Sequence, residues 1–227
     1  MRFSLSILFF FLSLSGIAQK EGIDFTAVDS LYREDQFYLS MTYSNLQNPY
    51  PGFNQNKISA GVSLGFLRDF PINKSRTWAI AAGLGYSYNG LNQNLGITEV
   101  NGKNEYSIIT TGFSKNKLIF HYVDLPIEIR WRTSTPQSHK FWRIYTGFKV
   151  SYLFSDQYKF EGSDVTIKQN GNPDLNKLQY GTYIAAGWNT WNAYVYYGLN
   201  PIFKSATINS EPLKMNALNI GLMFYIL

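Results

Sequence analysis

The chain has 227 residues, of which 45% are hydrophobic, 17% aromatic and only 15% charged, and its formal net charge is +5. The charged share lies well below the roughly 25% usual for soluble globular chains. Because the chain has no cysteine, a disulfide framework, thiol catalysis and a cysteine-ligated metal are excluded. The basic residues are scattered, so the net charge gives no reason to expect a nucleic-acid partner.

The N-terminus has the pattern of a secretory signal peptide. Arg2 precedes an apolar run over residues 5–14, and Gly16 and Ala18 supply the small residues that signal peptidase requires. This run is shorter than the roughly 20 residues of a membrane-spanning helix, and no later run reaches that length. We therefore expect a signal peptide over residues 1–18, a short periplasmic leader over 19–35 and a folded domain over 36–227.

From Gln36 onward the hydrophobic period is two, which indicates β-strands. One face of each stretch is apolar and the other is small or polar, and charges fall on one face only. The strands of soluble β-sandwiches show the same alternation, so the period alone does not distinguish a soluble β-protein from a membrane β-barrel. The predicted strands cover residues 36–44, 58–66, 78–88, 119–132, 142–154, 178–188, 191–199 and 215–227.

Two further patterns favour a membrane barrel over a soluble one. The tryptophans all lie on the apolar face of their strands, next to short connections at residues 68–76, 133–140 and 189–190; they are Trp78, Trp131, Trp142, Trp188 and Trp191. The other connections, at residues 45–57, 89–117, 155–177 and 200–214, are longer and polar. Outer-membrane barrels combine aromatic girdles with short periplasmic turns and long outer loops.

The sequence therefore predicts an all-β fold, an eight-stranded antiparallel up-and-down transmembrane β-barrel. The tryptophans form the predicted periplasmic-side aromatic girdle. A second girdle is expected at the opposite strand ends, from Tyr43, Tyr86, Tyr88, Tyr152, Phe154, Tyr180 and Tyr197. The predicted location is the outer membrane of a Gram-negative bacterium, with both termini in the periplasm.

An eight-stranded barrel has an interior just wide enough for side chains to fill. The inward face carries tyrosines among glycines and alanines: Tyr38, Tyr122, Tyr145, Tyr183, Tyr194, Tyr196 and Tyr225. Because buried charges must be paired, we expect an ionic network that plugs the lumen, formed by Asp124, Glu128, Arg130, Arg143 and Lys149. The expected role of this network is structural, to neutralise the charges inside the lumen. The alternative is a network that controls ion selectivity or gating.

A symmetric turn at residues 133–140 would place Asp124 opposite Lys149 and Glu128 within diagonal reach of Arg143. Pro126 lies in the middle of the fourth predicted strand, where it has no N–H for the ladder. We therefore expect a β-bulge at Pro126.

Enzymatic function has little support in the sequence. The chain has two histidines, His121 near the outer end of the fourth strand and His139 in a periplasmic turn. Local spacing puts no serine beside His121, and two histidines a membrane thickness apart cannot share a metal ion. We expect no enzymatic activity, no metal site and no cofactor.

Several segments carry a family resemblance: DSLYREDQFY at residues 29–38, AIAAGLGYSY at 79–88, and VDLPIEIRWR at 123–132 followed by FWRIY at 141–145. With the signal ending GIAQ at 16–19, they make the chain resemble the PorT-like outer-membrane β-barrel family of Bacteroidota over most of its mature length. Members named for PorT are implied in type IX secretion and gliding. The resemblance transfers no catalytic or binding residue.

The sequence thus favours a non-enzymatic barrel with a plugged lumen that serves as a structural or accessory subunit of an envelope complex, with type IX secretion as the implied setting. The alternatives are a small porin-like channel and a loop-mediated ligand-binding barrel. The expected partners are outer-membrane lipid and lipopolysaccharide together with other envelope or secretion proteins, and no nucleic acid.

Overall fold

The computed structural model describes residues 35–55, 57–133 and 141–226. The predicted signal peptide, nearly all of the leader and His139 lie outside the described residues. The strands are β1 (Gln36–Gln47), β2 (Ala60–Pro71), β3 (Trp78–Asn92), β4 (Leu95–Val100), β5 (Lys103–Ile108), β6 (Phe113–Arg132), β7 (Trp142–Gly162), β8 (Thr166–Asn170), β9 (Leu178–Trp188), β10 (Trp191–Pro201), β11 (Thr207–Ile208), β12 (Glu211–Pro212) and β13 (Asn216–Ile226).

Eight of these strands form one closed antiparallel sheet. Strands β1, β2, β3, β6, β7, β9, β10 and β13 each pair with the next in this order. The last then pairs with the first, for example through Tyr43 opposite Ile220. This confirms the predicted eight-stranded up-and-down barrel, and each predicted strand corresponds to one barrel strand.

The outer surface of the barrel is mainly apolar. Side chains alternate between the two faces of every strand, and most of the outward ones are hydrophobic. On β6 the outward Leu125, Ile127 and Ile129 are more than half exposed, while the inward Asp124 and Glu128 are buried. Monomeric soluble proteins rarely expose contiguous apolar surface on this scale. No helix of the described residues is long and apolar enough to cross a bilayer.

Tyrosines and glycines interlock inside the barrel. The ring of Tyr183 lies over Gly147 on the neighbouring strand, and the ring of Tyr38 lies over Gly65 and Gly85. A Cβ atom at any of these glycines would overlap the ring. The glycines therefore give the large rings room in a narrow interior. The core they build contains Tyr38, Leu67, Ala81, Tyr145, Tyr183, Ala185, Tyr194, Tyr196, Met223 and Tyr225.

A second hydrophobic core lies in the long connections at one end of the barrel. Strands β6 and β7, of 20 and 21 residues, extend beyond the other barrel strands and pair along this extension. Strand β8 adds to β7, while β4–β5 and β11–β12 form separate hairpins. Their core comprises Leu46, Leu91, Leu95, Ile97, Tyr106, Leu118, Phe120, Tyr122, Leu153, Tyr158, Leu175, Ile202, Phe203, Ala206, Ile208, Leu213 and Met215. We call this assembly the loop cap.

The predicted bulge at Pro126 is wrong. Pro126 stays in register opposite Lys149, and the β3–β6 register is the same on both sides of a short gap in the pairing at this point. A short gap in the pairing accommodates Pro126 without a bulge, because proline lacks only the N–H donor. The β6–β7 register shifts instead between His121 and Tyr122, where Phe154 is the extra residue of β7.

The glycine packing predicts a local cost of adding a methyl group. Gly147→Ala should lower the free energy of unfolding by roughly 1–3 kcal/mol, because the new Cβ would meet the Tyr183 ring. The matched control is Gly198→Ala, whose Cβ would have atoms of Ala217 as its nearest neighbours, at 3.3–3.6 Å. Urea titration of the refolded barrel in detergent measures both changes. Equal losses in the two variants would contradict the interlocking of Tyr183 with Gly147.

Candidate functional site

The buried charges of the barrel interior form two clusters. In the first, Asp69 accepts hydrogen bonds from Arg132 through Nη1 at 2.9 Å and Nη2 at 2.8 Å. It also accepts one from Arg130 Nη1 at 3.0 Å, while Arg130 Nε donates to Glu128 at 2.7 Å. The side chains of these two ion pairs of Arg130 are fully buried. Alternating charges thus run as a chain from Arg132 to Glu128.

Tyrosine hydroxyls complete the coordination of Glu128. Tyr183 and Tyr225 donate to its Oε1 at 2.8 and 3.1 Å. The guanidinium of Arg130 lies 4.8 Å from the centre of the Tyr145 ring. Because strands β6, β7, β9 and β13 supply these groups, the cluster joins distant strands across the lumen.

The second cluster surrounds Asp124. Lys149 Nζ lies 3.2 Å from Asp124 Oδ2, and Ser151 donates to Oδ1 at 2.5 Å. Ser87 donates a further hydrogen bond to Oδ2. Lys149 Nζ also lies 4.7 Å from the centre of the Tyr196 ring. The carboxylate is therefore satisfied entirely by neighbouring strands.

The β6–β7 register differs by two residues from the symmetric expectation. Asp124 lies opposite Ser151, so its contact with Lys149 is diagonal rather than direct. Arg143 lies opposite Arg132 and makes no ion pair with Glu128 among the described residues. Its guanidinium instead lies over aromatic rings, at 4.5 Å from the centre of Phe141 and 5.4 Å from that of Tyr225. The expected Glu128–Arg143 contact is therefore wrong.

Two members of the first cluster were missed by the sequence analysis. Asp69 falls in the predicted connection at residues 68–76, but β2 continues to Pro71 and places Asp69 inward. Arg132 lies at the end of β6 and is equally buried. The signal that identifies Asp69 is parity, since Leu67 and Asp69 share the inward face of β2.

Two small cavities lie beside these clusters in the barrel interior. One cavity of about 40 Å³ is lined by Asp124, Lys149 and Tyr196 among others, and a second of about 10 Å³ is lined by Lys149 and Glu128 among others. A water molecule needs roughly 10–15 Å³ of such space. The first cavity therefore has room for a few waters and the second for one at most.

The tryptophans lie at the end of the barrel opposite the loop cap. Trp78 faces Trp131 across β3 and β6, and Trp188 faces both Trp142 and Trp191 across β7, β9 and β10. They occupy five consecutive strands of the barrel surface. On the remaining strands the belt continues with phenylalanine, at Phe37, Phe66, Phe70 and Phe224.

A second outward aromatic cluster lies at the capped end, around His121. Tyr86 Oη hydrogen-bonds His121 Nδ1 at 2.6 Å, and the rings of Tyr88 and Phe154 lie 5.5 and 6.1 Å from the imidazole. His121 lies ten residues before Trp131 on β6. For a strand that rises about 3.4 Å per residue and tilts about 40°, this separation is roughly 26 Å along the barrel axis, close to the height of a membrane barrel's apolar band.

Polar contacts tie the loop cap together. Tyr106 Oη donates to Asp174 at 2.9 Å, and Ser205 donates to the same carboxylate at 2.6 Å. Burial raises the pKa of the Tyr106 hydroxyl above its usual range; the hydrogen bond with Asn172 opposes this and Asp174 adds to it. The hydroxyl therefore remains a donor at neutral pH and holds β5 to the connection before β9.

An open groove of about 220 Å³ lies on the cap between the β4–β5 turn and the end of β8. Amide side chains dominate it, and one carboxylate contributes. Its lining is Glu99, Gly102, Asn104, Tyr158, Gln169, Asn170, Gly171, Asn172 and Pro173. No group of three or more possible metal-ligating side chains occurs within the described part of the chain.

A closed antiparallel barrel with an apolar exterior, aromatic residues at both ends of that surface and charges inside defines the class of outer-membrane β-barrels. The family model described as outer membrane protein beta-barrel domain matches residues 17–204, and the chain belongs to this family. A search of curated proteins found no match.

The outward face predicts a depth-dependent response to charge. Ile127→Arg should destabilise the folded barrel in lipid by roughly 2–4 kcal/mol, because Ile127 lies near the middle of the apolar band. Trp131→Arg should cost roughly 0–1 kcal/mol from its charge, since Trp131 lies at the edge. Folding yield and urea stability in phospholipid vesicles measure both. Equal effects would mean that the depth assignment is wrong.

The first ionic cluster predicts a large cost of removing one charge. Asp69→Asn should lower the free energy of unfolding by roughly 3–5 kcal/mol, because Arg130 and Arg132 would lose a buried partner. The matched control is Glu161→Gln, which removes the exposed ion pair with Lys115 and should cost less than about 1 kcal/mol. Similar losses in both variants would contradict the structural role of Asp69.

Proposed function

We propose that this protein is a non-enzymatic outer-membrane barrel with a closed lumen, acting as a structural or accessory subunit of an envelope complex. In this proposal the protein resides in a Gram-negative bacterium. The loop cap faces the outside and both termini face the periplasm. The single observation that carries the proposal is the occupation of the barrel interior by its own side chains.

Paired charges occupy the barrel interior. The buried charged side chains of the described residues are Asp69, Asp124, Glu128, Arg130, Arg132, Arg143 and Lys149. The carboxylates are satisfied by arginines, Lys149, serines and tyrosines from several strands. A permeating ion would have to break these contacts, because the cavities beside Lys149 hold only a few waters.

The loop cap supports closure from the other end. Leu118 and Phe120 of β6 contribute to its core, as does Met215 before β13, and all three are buried. Porin-like conduction requires a wetted path, whereas this end is covered by packed apolar side chains. Closure leaves the outer surfaces as the parts of the molecule that are free to interact.

The surroundings of His121 favour a structural rather than a catalytic role. Its cross-strand neighbour is Ser155, but no hydrogen bond joins the two side chains among the described residues. Nδ1 is engaged by Tyr86. A nucleophilic serine requires a base within hydrogen-bond reach and a third group that orients the base.

For the complex, we propose an accessory role in the envelope with type IX secretion as the setting. The support is the resemblance to PorT-like barrels together with a barrel interior packed with its own buried side chains, which in this proposal leave no transport path. In this proposal the partners are other envelope or secretion proteins, which contact the loop cap, the leader or the periplasmic turns.

A second candidate is ligand binding by the loops, favoured by the groove between the β4–β5 turn and β8. Its amide-rich lining suits a small polar ligand. A ligand retained by the detergent-purified protein, and lost when Gln169→Phe fills the groove, would favour this candidate.

The first test addresses orientation. The chain lacks cysteine, so one introduced cysteine is the only thiol of this protein that a membrane-impermeant maleimide can label. Lys103→Cys, in the loop cap, should be labelled on intact cells. Lys74→Cys, in the β2–β3 turn, should be labelled only after the outer membrane is permeabilised. The reverse pattern would overturn the proposed orientation.

The second test addresses the complex. An epitope inserted in the exposed turn at residues 163–165, between β7 and β8, allows capture from native membranes in mild detergent. Stoichiometric envelope proteins that are absent from an untagged strain would support the subunit role. A barrel captured alone, from a deletion strain with normal secretion and envelope integrity, would contradict it.

A further inference from the structure

Three lysines lie in one cross-strand row on the extension of the barrel wall. Lys117 of β6 is directly opposite Lys159 of β7, and Lys159 is directly opposite Lys168 of β8. Residues paired in this way have Cβ atoms about 4.5–5.5 Å apart. Like charges at directly opposite positions destabilise a sheet, so the row calls for an anion that neutralises it.

The protein supplies little negative charge to this row. On the same face, Glu161 pairs with Lys115 at 3.0 Å. Lys117 Nζ contacts the neutral hydroxyl of Tyr88 at 3.1 Å, and no ion pair involves Lys117, Lys159 or Lys168 within the described ranges. The row therefore keeps an unneutralised charge of three.

The lysine row lies on the outer face of the extension. Residues of the opposite parity, such as Leu118, Tyr158 and Ile167, pack into the loop cap. On the lysine face, Lys168 is exposed and Lys117 and Lys159 are half-buried. The nearest row toward the barrel consists of Ile119, Gln157 and Asn170. Ile119 is buried, and the side chains of Gln157 and Asn170 hydrogen-bond each other at 2.9 Å.

This face continues into the outward aromatic cluster around His121. Lys117 lies four residues beyond His121 on β6, which corresponds to about 10 Å above the edge of the apolar band for a tilted strand. The same face continues toward the middle of the apolar band with Tyr86, Tyr88 and Phe154. The surface thus presents aromatic rings at the height of lipid chains and amides and lysines at the height of headgroups.

We propose that this face binds the phosphorylated headgroup of lipopolysaccharide, with the phosphates at Lys117, Lys159 and Lys168 and an acyl chain along the aromatic cluster. The inference rests on the proposed function in one respect, since it requires the loop cap to face the outside. A large anionic glycolipid fits because the charge lies beyond the chain-level aromatic surface and spans three strands.

The test uses the detergent-purified full chain and bisphosphorylated lipid A, with bound lipid measured by native mass spectrometry. The variant is the triple substitution Lys117→Gln, Lys159→Gln and Lys168→Gln. The matched control makes the same charge change elsewhere on the cap, at Lys103, Lys204 and Lys214. The unheated gel mobility of the folded barrel verifies that each variant is folded.

The apparent affinity for lipid A should fall at least about tenfold in the first triple variant and remain within about twofold in the control, because lysines near a lipid surface each contribute to anion binding. Dephosphorylated lipid A should bind the natural sequence as weakly as lipid A binds the first variant. Millimolar inorganic phosphate should not compete, because the aromatic cluster contributes through the acyl chain.

Equal affinity in both triple variants, or undiminished binding of dephosphorylated lipid A, would overturn the inference. Competition by inorganic phosphate alone, or equal lysine-dependent binding of phosphatidylglycerol, would also contradict lipopolysaccharide as the specific occupant. Binding in detergent does not depend on orientation. If lipid A binding fails while Lys103→Cys is labelled from outside, the lipopolysaccharide site is wrong and the proposed function stands. A reversed labelling pattern would remove the basis of the lipopolysaccharide site and of the proposed orientation.

Discussion

The neutralisation of buried charge is the constraint on which the rest of this barrel depends. An eight-stranded barrel has little space for water in its interior, so buried charges need partners among the protein's own side chains. Arg143 has aromatic rings beside its guanidinium, and the other buried charges have ion-pair partners. Asp69 satisfies Arg130 and Arg132, and Arg130 in turn satisfies Glu128. These contacts link β2 with β6, and the tyrosines that donate to Glu128 extend the link to β9 and β13.

The packing of the barrel interior also constrains which residues the inner face of the sheet can carry. Several of the large tyrosine rings lie over glycine on a neighbouring strand, as Tyr183 does over Gly147. Inside, the sheet combines bulky polar groups with glycines, while its outside is mainly apolar, with polar exceptions such as Arg68, Thr146 and Thr182. One alternating sequence pattern therefore gives the barrel a polar inner face and an outer face suited to lipid.

Strand identity was predictable from sequence because period two extends over eight segments and needs no knowledge of distant partners. Cross-strand register was not predictable, since it depends on the turn at residues 133–140. The predicted register of β6 and β7 differs from the observed one by two residues, so Lys149 lies opposite Pro126 and not opposite Asp124. Asp69 was missed because polar residues near a strand end look like a turn. The loop cap was also beyond reach, since Tyr106 and Asp174 meet across more than sixty residues of chain. The lysine row likewise emerges only after β6, β7 and β8 are paired.

The central claim is that the interior side chains close the lumen, and single-channel recording tests it most directly. The purified, refolded protein would be inserted into a planar lipid bilayer, with insertion verified by protease protection in matching vesicles. The account predicts no unitary conductance steps over a wide voltage range. Reproducible steps from the natural sequence, above all with anion preference from Arg143 or Lys149, would contradict a closed lumen and favour a small channel.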